Sequence, residues 1–159
     1  MSKMLPQRTV DCLRVQGDVS LDMYGIDCDL YIPNNLDAVE EQDVYAKPKD
    51  YEYVHYTAKV FIEWTPNMWR LKKFGIYTEH ETPILGRFGR KAVNDAGVEV
   101  DVDIHVNSFI KVALQYIPSS VSDTDQFEIV SVAMGNFHDA AIVQIYKLAP
   151  LRGGDRRVI

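Results

Sequence analysis

The chain has 159 residues, 47% of them hydrophobic and 25% charged, with a net charge of −6 at pH 7, which suits one globular domain with its own core. No window approaches the roughly 18 consecutive apolar residues that span a bilayer, and Met1 to Val10 lacks the apolar run of a signal peptide, so no membrane role is expected and synthesis in the cytoplasm is. The acidic balance disfavours a general nucleic-acid binder, which needs excess Lys and Arg to displace counterions from phosphates.

In chain order, Val19, Leu21 and Met23 lie on odd positions and Ile26, Cys28, Leu30 and Ile32 on even ones. That pattern reads as a strand whose register changes at Gly25, through a bulge or turn, and ends at "PNN". Residues 33–53 are acidic, poor in large aliphatics and hold Pro48; they read as a long loop outside the core. In "VHYTAKVFIEW", Val54, Tyr56, Ala58, Val60, Ile62 and Trp64 share one face of a strand and His55, Thr57, Lys59 and Glu63 the other, with Phe61 the exception.

Thr65 is placed to cap a short helix, with Pro66 at its first position, Lys72 and Lys73 in its last turn and Gly75 at its stop. Another strand is expected from near Ile76. After a turn at "NDAG", residues 94–97, Val98, Val100, Val102, Ile104 and Val106 alternate with Glu99, Asp101, Asp103 and His105, the pattern of a half-buried strand. Residues 109–117 and 127–134 read as strands from their Val, Ile, Phe and Tyr content, and 140–148, apolar on both faces, as a central one. The expectation is a mainly β chain, a single-domain barrel or sandwich over 1–150 with long loops and one or two short helices, and a flexible basic tail at 151–159.

Catalytic signatures are sparse. The sequence has no GxSxG, P-loop or HExxH motif, and "GRFGR" at 86–90 lacks the strand-then-helix setting of a phosphate cradle. Neighbouring residues of "EHE", Glu79 to Glu81, point to opposite faces of a strand and lack a third partner, so no metal site is expected there. Glu99, Asp101 and Asp103 share a face and could hold a divalent cation, but a solvated polar face is the plainer reading. Cys12 and Cys28 form no CxxC pair and read as separate small core or half-buried residues rather than a disulfide or metal site. No catalytic residue, cofactor or metal is assigned.

Other features suit contact. Tyr45, Tyr51, Tyr53 and Tyr56 flank or follow the acidic loop, and tyrosine is a good interface residue, though core packing serves as well. Residues 18–50 carry a net charge of −7 and residues 70–91 a net charge of +4, the latter including Arg70, Arg87 and Arg90. Either this is solvated surface, or the acidic face of one copy meets the basic face of the next. In the second case assembly is salt-sensitive, and reversing Arg87 and Arg90 to Glu weakens it.

"YGIDCDLYIP", "VFIEWTP", "RLKKFGIYTEHETPILGRFG" and the closing "IYKLAPLR" together resemble virion structural proteins of contractile-tailed bacteriophages, in particular the small β-rich proteins of the head-to-tail connector, or neck. The similarity is one of pattern across residues 10–150 and contains no catalytic signature. It implies a non-enzymatic protein of the virion, made in the host cytoplasm and arranged as a ring of six or twelve copies around the DNA channel. Its partners would be other copies of itself and portal, neck or tail proteins, with double-stranded DNA passing through unbound. Tail-terminator and baseplate adaptor proteins share β-rich folds and fit the same resemblance. Under it, "WTPNMWRLKKFGIY" is a corner presenting Trp64, Met68, Trp69 and Leu71 to a core or a neighbour. Tyr45, Tyr51, Trp69, Arg70, Arg87 and Arg90 are then interface candidates, and Glu99, Asp101 and Asp103 candidates to face the channel. A small β-barrel ligand-binding protein or enzyme, its site lined by Tyr and Asp, is the reading from a different class.

Overall fold

Strand alternation of the kind read above builds most of the molecule. A computed structural model describes residues 6–34, 52–67, 69, 72, 83–119, 124–134 and 144–157. Within them the chain forms helix α1 (Gln7–Tyr24) and strands β1 (Ile26–Pro33), β2 (Tyr53–Glu63), β3 (Ile84–Phe88), β4 (Lys91–Asn94), β5 (Glu99–Asp101), β6 (Phe109–Val112), β7 (Gln126–Met134) and β8 (Gln144–Pro150). Every strand pairing is antiparallel. The order β1-β6-β7-β8-β3-β2 closes on itself through β1–β2, giving a six-stranded barrel, while β4 and β5 extend the sheet from β2 as a side hairpin. The fold is therefore a barrel rather than a sandwich.

The interior is filled by alternate residues of the strands, and on β1 and β2 these are the ones the sequence pattern selects. Cys28, Leu30 and Ile32 of β1, Ala58 and Val60 of β2, Ile84 and Phe88 of β3, Ile110 and Val112 of β6, Phe127 and Ile129 of β7, and Tyr146 and Leu148 of β8 make one buried cluster. Trp64 packs against it, edge-on to Phe127 with ring centroids 5.5 Å apart. Phe61 points outward and is exposed. At Gly86 a Cβ would lie 2.9 Å from Leu148 Cδ1, so the glycine leaves room for Leu148 to complete the interior. The ladder between β7 and β8 shifts register at Ile129/Ser131 and again at Val132/Met134, the irregularities that let a strand curve around a closed barrel.

Several sequence expectations change. Residues 19–24 belong to α1, not to a strand with a bulge. Of Val19, Leu21 and Met23 only Leu21 is buried, whereas a half-buried strand would bury all three. Gly25 follows the helix in extended conformation, φ −73°, and its N–H reaches the Leu21 carbonyl at 2.7 Å. What requires glycine there is space: a Cβ would stand 2.5 Å from that carbonyl oxygen.

The long alternating segment forms only the three-residue β5, and Val98 and Val106 are exposed, because β4 offers a partner for only Glu99 to Asp101. Residues 109–117 form β6 and then a 3-10 turn, Leu114–Tyr116. The segment after Pro150, read as a free basic tail, lies against the barrel over residues 151–157. Leu151 is buried, and the buried Gln126 side chain receives the Arg157 N–H at 2.7 Å and donates to the Arg157 carbonyl at 2.9 Å.

The turn at residues 94–97 forms as expected, with the Asn94 side chain accepting from the Ala96 and Val98 N–H groups and Gly97 at φ +79°. Asn34 N–H bonds to the Glu52 carbonyl at 2.9 Å, so the two ends of the acidic loop leave and rejoin the barrel side by side. Residues 35–51 and the strand expected near Ile76 lie outside the described residues. The helix expected from Pro66 does not begin there, since Pro66 and Asn67 are not helical; Trp69 and Lys72 have helical backbone, and the rest of 66–75 lies outside the described residues.

Candidate interaction surface

Period-two alternation that sends aliphatic residues inward sends polar and aromatic ones outward, and on β1, β2 and β6 these meet. Tyr31 stands opposite both His55 and Phe109 in the ladders. It stacks on Phe109 at 4.7 Å between centroids and lies 5.1 Å from the His55 ring, while Tyr53 meets Phe109 edge-on at 4.9 Å. This outer aromatic group buries Phe109 almost completely although it lies outside the barrel. Tyr53, expected near the acidic loop as a contact residue, is one of its members.

At the margin of this group His55 sits between two carboxylates. Its Nε2 is 2.9 Å from Asp29 Oδ1 on β1, and its Nδ1 is 2.5 Å from Asp95 Oδ1 in the turn between β4 and β5. Hydrogen bonds to Asp95 and then Asp29 hold the imidazole pKa above its ordinary value, opposed by partial burial. In the sequence His55 is one polar residue on a strand face. Asp29 is recoverable from the alternation of β1, but Asp95 belongs to a turn forty residues away, and no periodicity relates the two.

Glu99 and Asp101 lie on the hairpin and Asp103 just after it, all exposed. Lys91 lies 3.5 Å from Glu99 and opposite Asp101 in the ladder, so one of the basic residues counted on 70–91 is engaged by the acidic band of its own chain. The charge on Asp103 also reaches Tyr146, whose hydroxyl is pushed up to about 12, mainly by burial. Of the other interface candidates, Arg90 is exposed, Arg87 is half-buried on β3, and Trp69 is 72% exposed. Tyr45, Tyr51 and Arg70 lie outside the described residues.

Helix α1 divides by face. Leu21 packs inward toward β2, over a hollow of about 270 Å³ shared with Ala58, Lys59, Ala92 and Glu99. Val15, Val19 and Met23, one helical turn apart, are 60%, 50% and 67% exposed, and Tyr24 beside them is exposed as well. A second hollow, about 330 Å³, opens among Asp27, Asp29, Lys111, Leu114 and Asp125. Among the described residues no group of three His, Cys, Asp or Glu side chains is set to hold a metal ion, and no helix is long and apolar enough to cross a membrane.

No protein family, curated protein or solved structure matches this chain. Its surface therefore has to be read from its own geometry. Three features stand out: an apolar stripe on α1, an acidic hairpin, and an aromatic group with a doubly bridged histidine.

Proposed function

We propose that the chain is a non-enzymatic structural subunit that acts by contact, forming a ring with other copies of itself at the head-to-tail junction of a contractile-tailed phage. The observation that carries the contact reading is the stripe of Val15, Val19 and Met23, continued by Tyr24, left facing solvent on α1. Contiguous apolar surface of this kind marks a place where another surface docks. The phage setting rests on the sequence resemblance, which fits tail-terminator and baseplate adaptor rings as well as the neck. On this reading the protein resides in the virion, and portal, neck or tail proteins stack against the ring.

Light scattering coupled to size exclusion, with electron microscopy of purified particles, tests the proposal. The expected result is a closed oligomer, present in virions, that Val19→Asp shifts toward monomer with the circular dichroism of the fold unchanged. A strict monomer absent from particles sinks it. The second reading, a ligand-binding barrel, draws on the hollow beneath α1, whose volume falls just below the usual range for a ligand site. A monomer that retains a small molecule through purification would favour it.

A further inference from the structure

The position of His55 between Asp29 and Asp95 has a consequence that follows from hydrogen-bond bookkeeping alone. A carboxylate can only accept, so a ring that meets one carboxylate at 2.9 Å through Nε2 and another at 2.5 Å through Nδ1 must carry a proton on each nitrogen. Neutral imidazole has one N–H. On deprotonation one of the two contacts becomes lone pair against lone pair, and that pair separates.

The surroundings decide which contact opens. Asp29 is held in the middle of a ladder, paired with Thr57 on one side and Lys111 on the other. Asp95 is 76% exposed at the tip of the hairpin, with its neighbours Asn94 and Gly97 closing the turn. Beyond the backbone pairing of Asn94 with Tyr56 and of Val93 with Thr57, the Asp95 contact ties that tip to the barrel. The groups facing the ring are Asp29 and Tyr31 from β1 and Asp95 from the hairpin turn. Lys111 on β6 stands behind Asp29 and lies 3.9 Å from Asp125. The Tyr31 hydroxyl is itself raised above its ordinary value, by burial first and then by the two carboxylates, so it stays neutral while the histidine titrates.

We infer that Asp29, His55 and Asp95 form a proton-operated latch, which fastens the tip of the β4–β5 hairpin and its acidic band to the barrel while His55 is charged and frees the tip when the ring loses a proton. The sign follows from the raised imidazole pKa. The latch is fully closed below the ordinary histidine value of 6.5 and opens as pH rises through the higher folded value. The inference does not depend on the ring assembly, since every group in it belongs to one chain.

A pH titration of the full-length, ¹⁵N-labelled chain between pH 5 and 9 tests the latch, using long-range imidazole correlations for His55 and backbone amide shifts for Ala96 and Gly97. The expected result is a His55 midpoint above 6.5, both ring nitrogens protonated below it, and tip amides that shift with the same midpoint. Asp95→Asn should lower the His55 midpoint toward the ordinary value and uncouple the tip amides from it. Asp101→Asn removes the same charge from the same hairpin without touching the ring, and should leave both nearly unchanged. A His55 midpoint at or below the ordinary value overturns the latch, as do tip amides that ignore that midpoint. Equal effects of the two Asn variants would reduce it to diffuse charge and overturn it as well.

Discussion

At the scale of single residues, the two cysteines show how burial separates identical side chains. Cys12 is exposed on α1, while Cys28 points into the barrel between Leu30 and the closing strands. Burial, with the charges of Asp29 and Asp27 adding to it, drives the Cys28 thiol far above its ordinary pKa, so its reactive thiolate is scarcely populated. Treatment of the native protein with a thiol reagent at pH 8 should modify Cys12 rapidly and leave Cys28 untouched until denaturant is added. Mass spectrometry of the labelled peptides reads the outcome, and two equally fast sites would place Cys28 outside the interior. The sequence expectation of two core or half-buried thiols holds for Cys28 and fails for Cys12, which is exposed. The alternation of β1 hinted that Cys28 faces inward, but nothing in the α1 segment said that Cys12 faces out.

At the scale of elements, α1 and the C-terminal segment are where local pattern and final structure part. Val19, Leu21 and Met23 satisfy a period of two, and Val15, Val19 and Met23 satisfy a helical one. The choice falls to packing, because a helix can bury Leu21 against β2 and still satisfy its own backbone groups. Apart from the buried Leu151, the C-terminal segment holds too little apolar surface to dock by hydrophobic burial. It is fixed instead by polar contacts: Thr124 Oγ1 donates to the Leu151 carbonyl at 2.6 Å, Gln126 clasps the Arg157 backbone, and Arg156 pairs with Asp125. Removing residues 152–159 should leave the buried Gln126 amide without those partners, at a cost of about 1–3 kcal/mol. Urea denaturation of the truncated chain measures it, and an unchanged midpoint would mean that the segment contributes nothing to the fold.

At the scale of the whole molecule, closure of the barrel leaves the β4–β5 hairpin outside the ring of six strands, joined to the core through Ala92. Glu99 and Asp101 on it and Asp103 just after it are exposed, so exchanging all three for Lys should lower the melting temperature by no more than a few degrees. On the ring reading, repetition multiplies three carboxylates per copy into a negative band. If that band lines the channel, DNA repelled by it does not stick, and particles built with the Lys variant should eject DNA more slowly. Normal ejection from particles shown to contain the variant would place this surface away from the channel; outward carboxylates would then serve solubility.

Sequence alone establishes that the chain is mainly β, that Cys28, Leu30 and Ile32 of β1 and Ala58 and Val60 of β2 share the apolar face of their strands, and that a turn falls at residues 94–97. Alternation and turn chemistry are local, and burial of one strand face enforces them wherever the strand is placed. Tertiary packing closes six strands into a barrel, coils residues 7–24 into a helix against β2, and sets the segment after Pro150 in the clasp of Gln126. It alone brought Asp29, His55 and Asp95 together. Each of these depends on contacts between residues far apart in the chain, and neither composition nor period carries that information. His55 reads in the sequence as one polar residue on a strand face; its two carboxylates arrive from a neighbouring strand and a distant turn only once the sheet has formed.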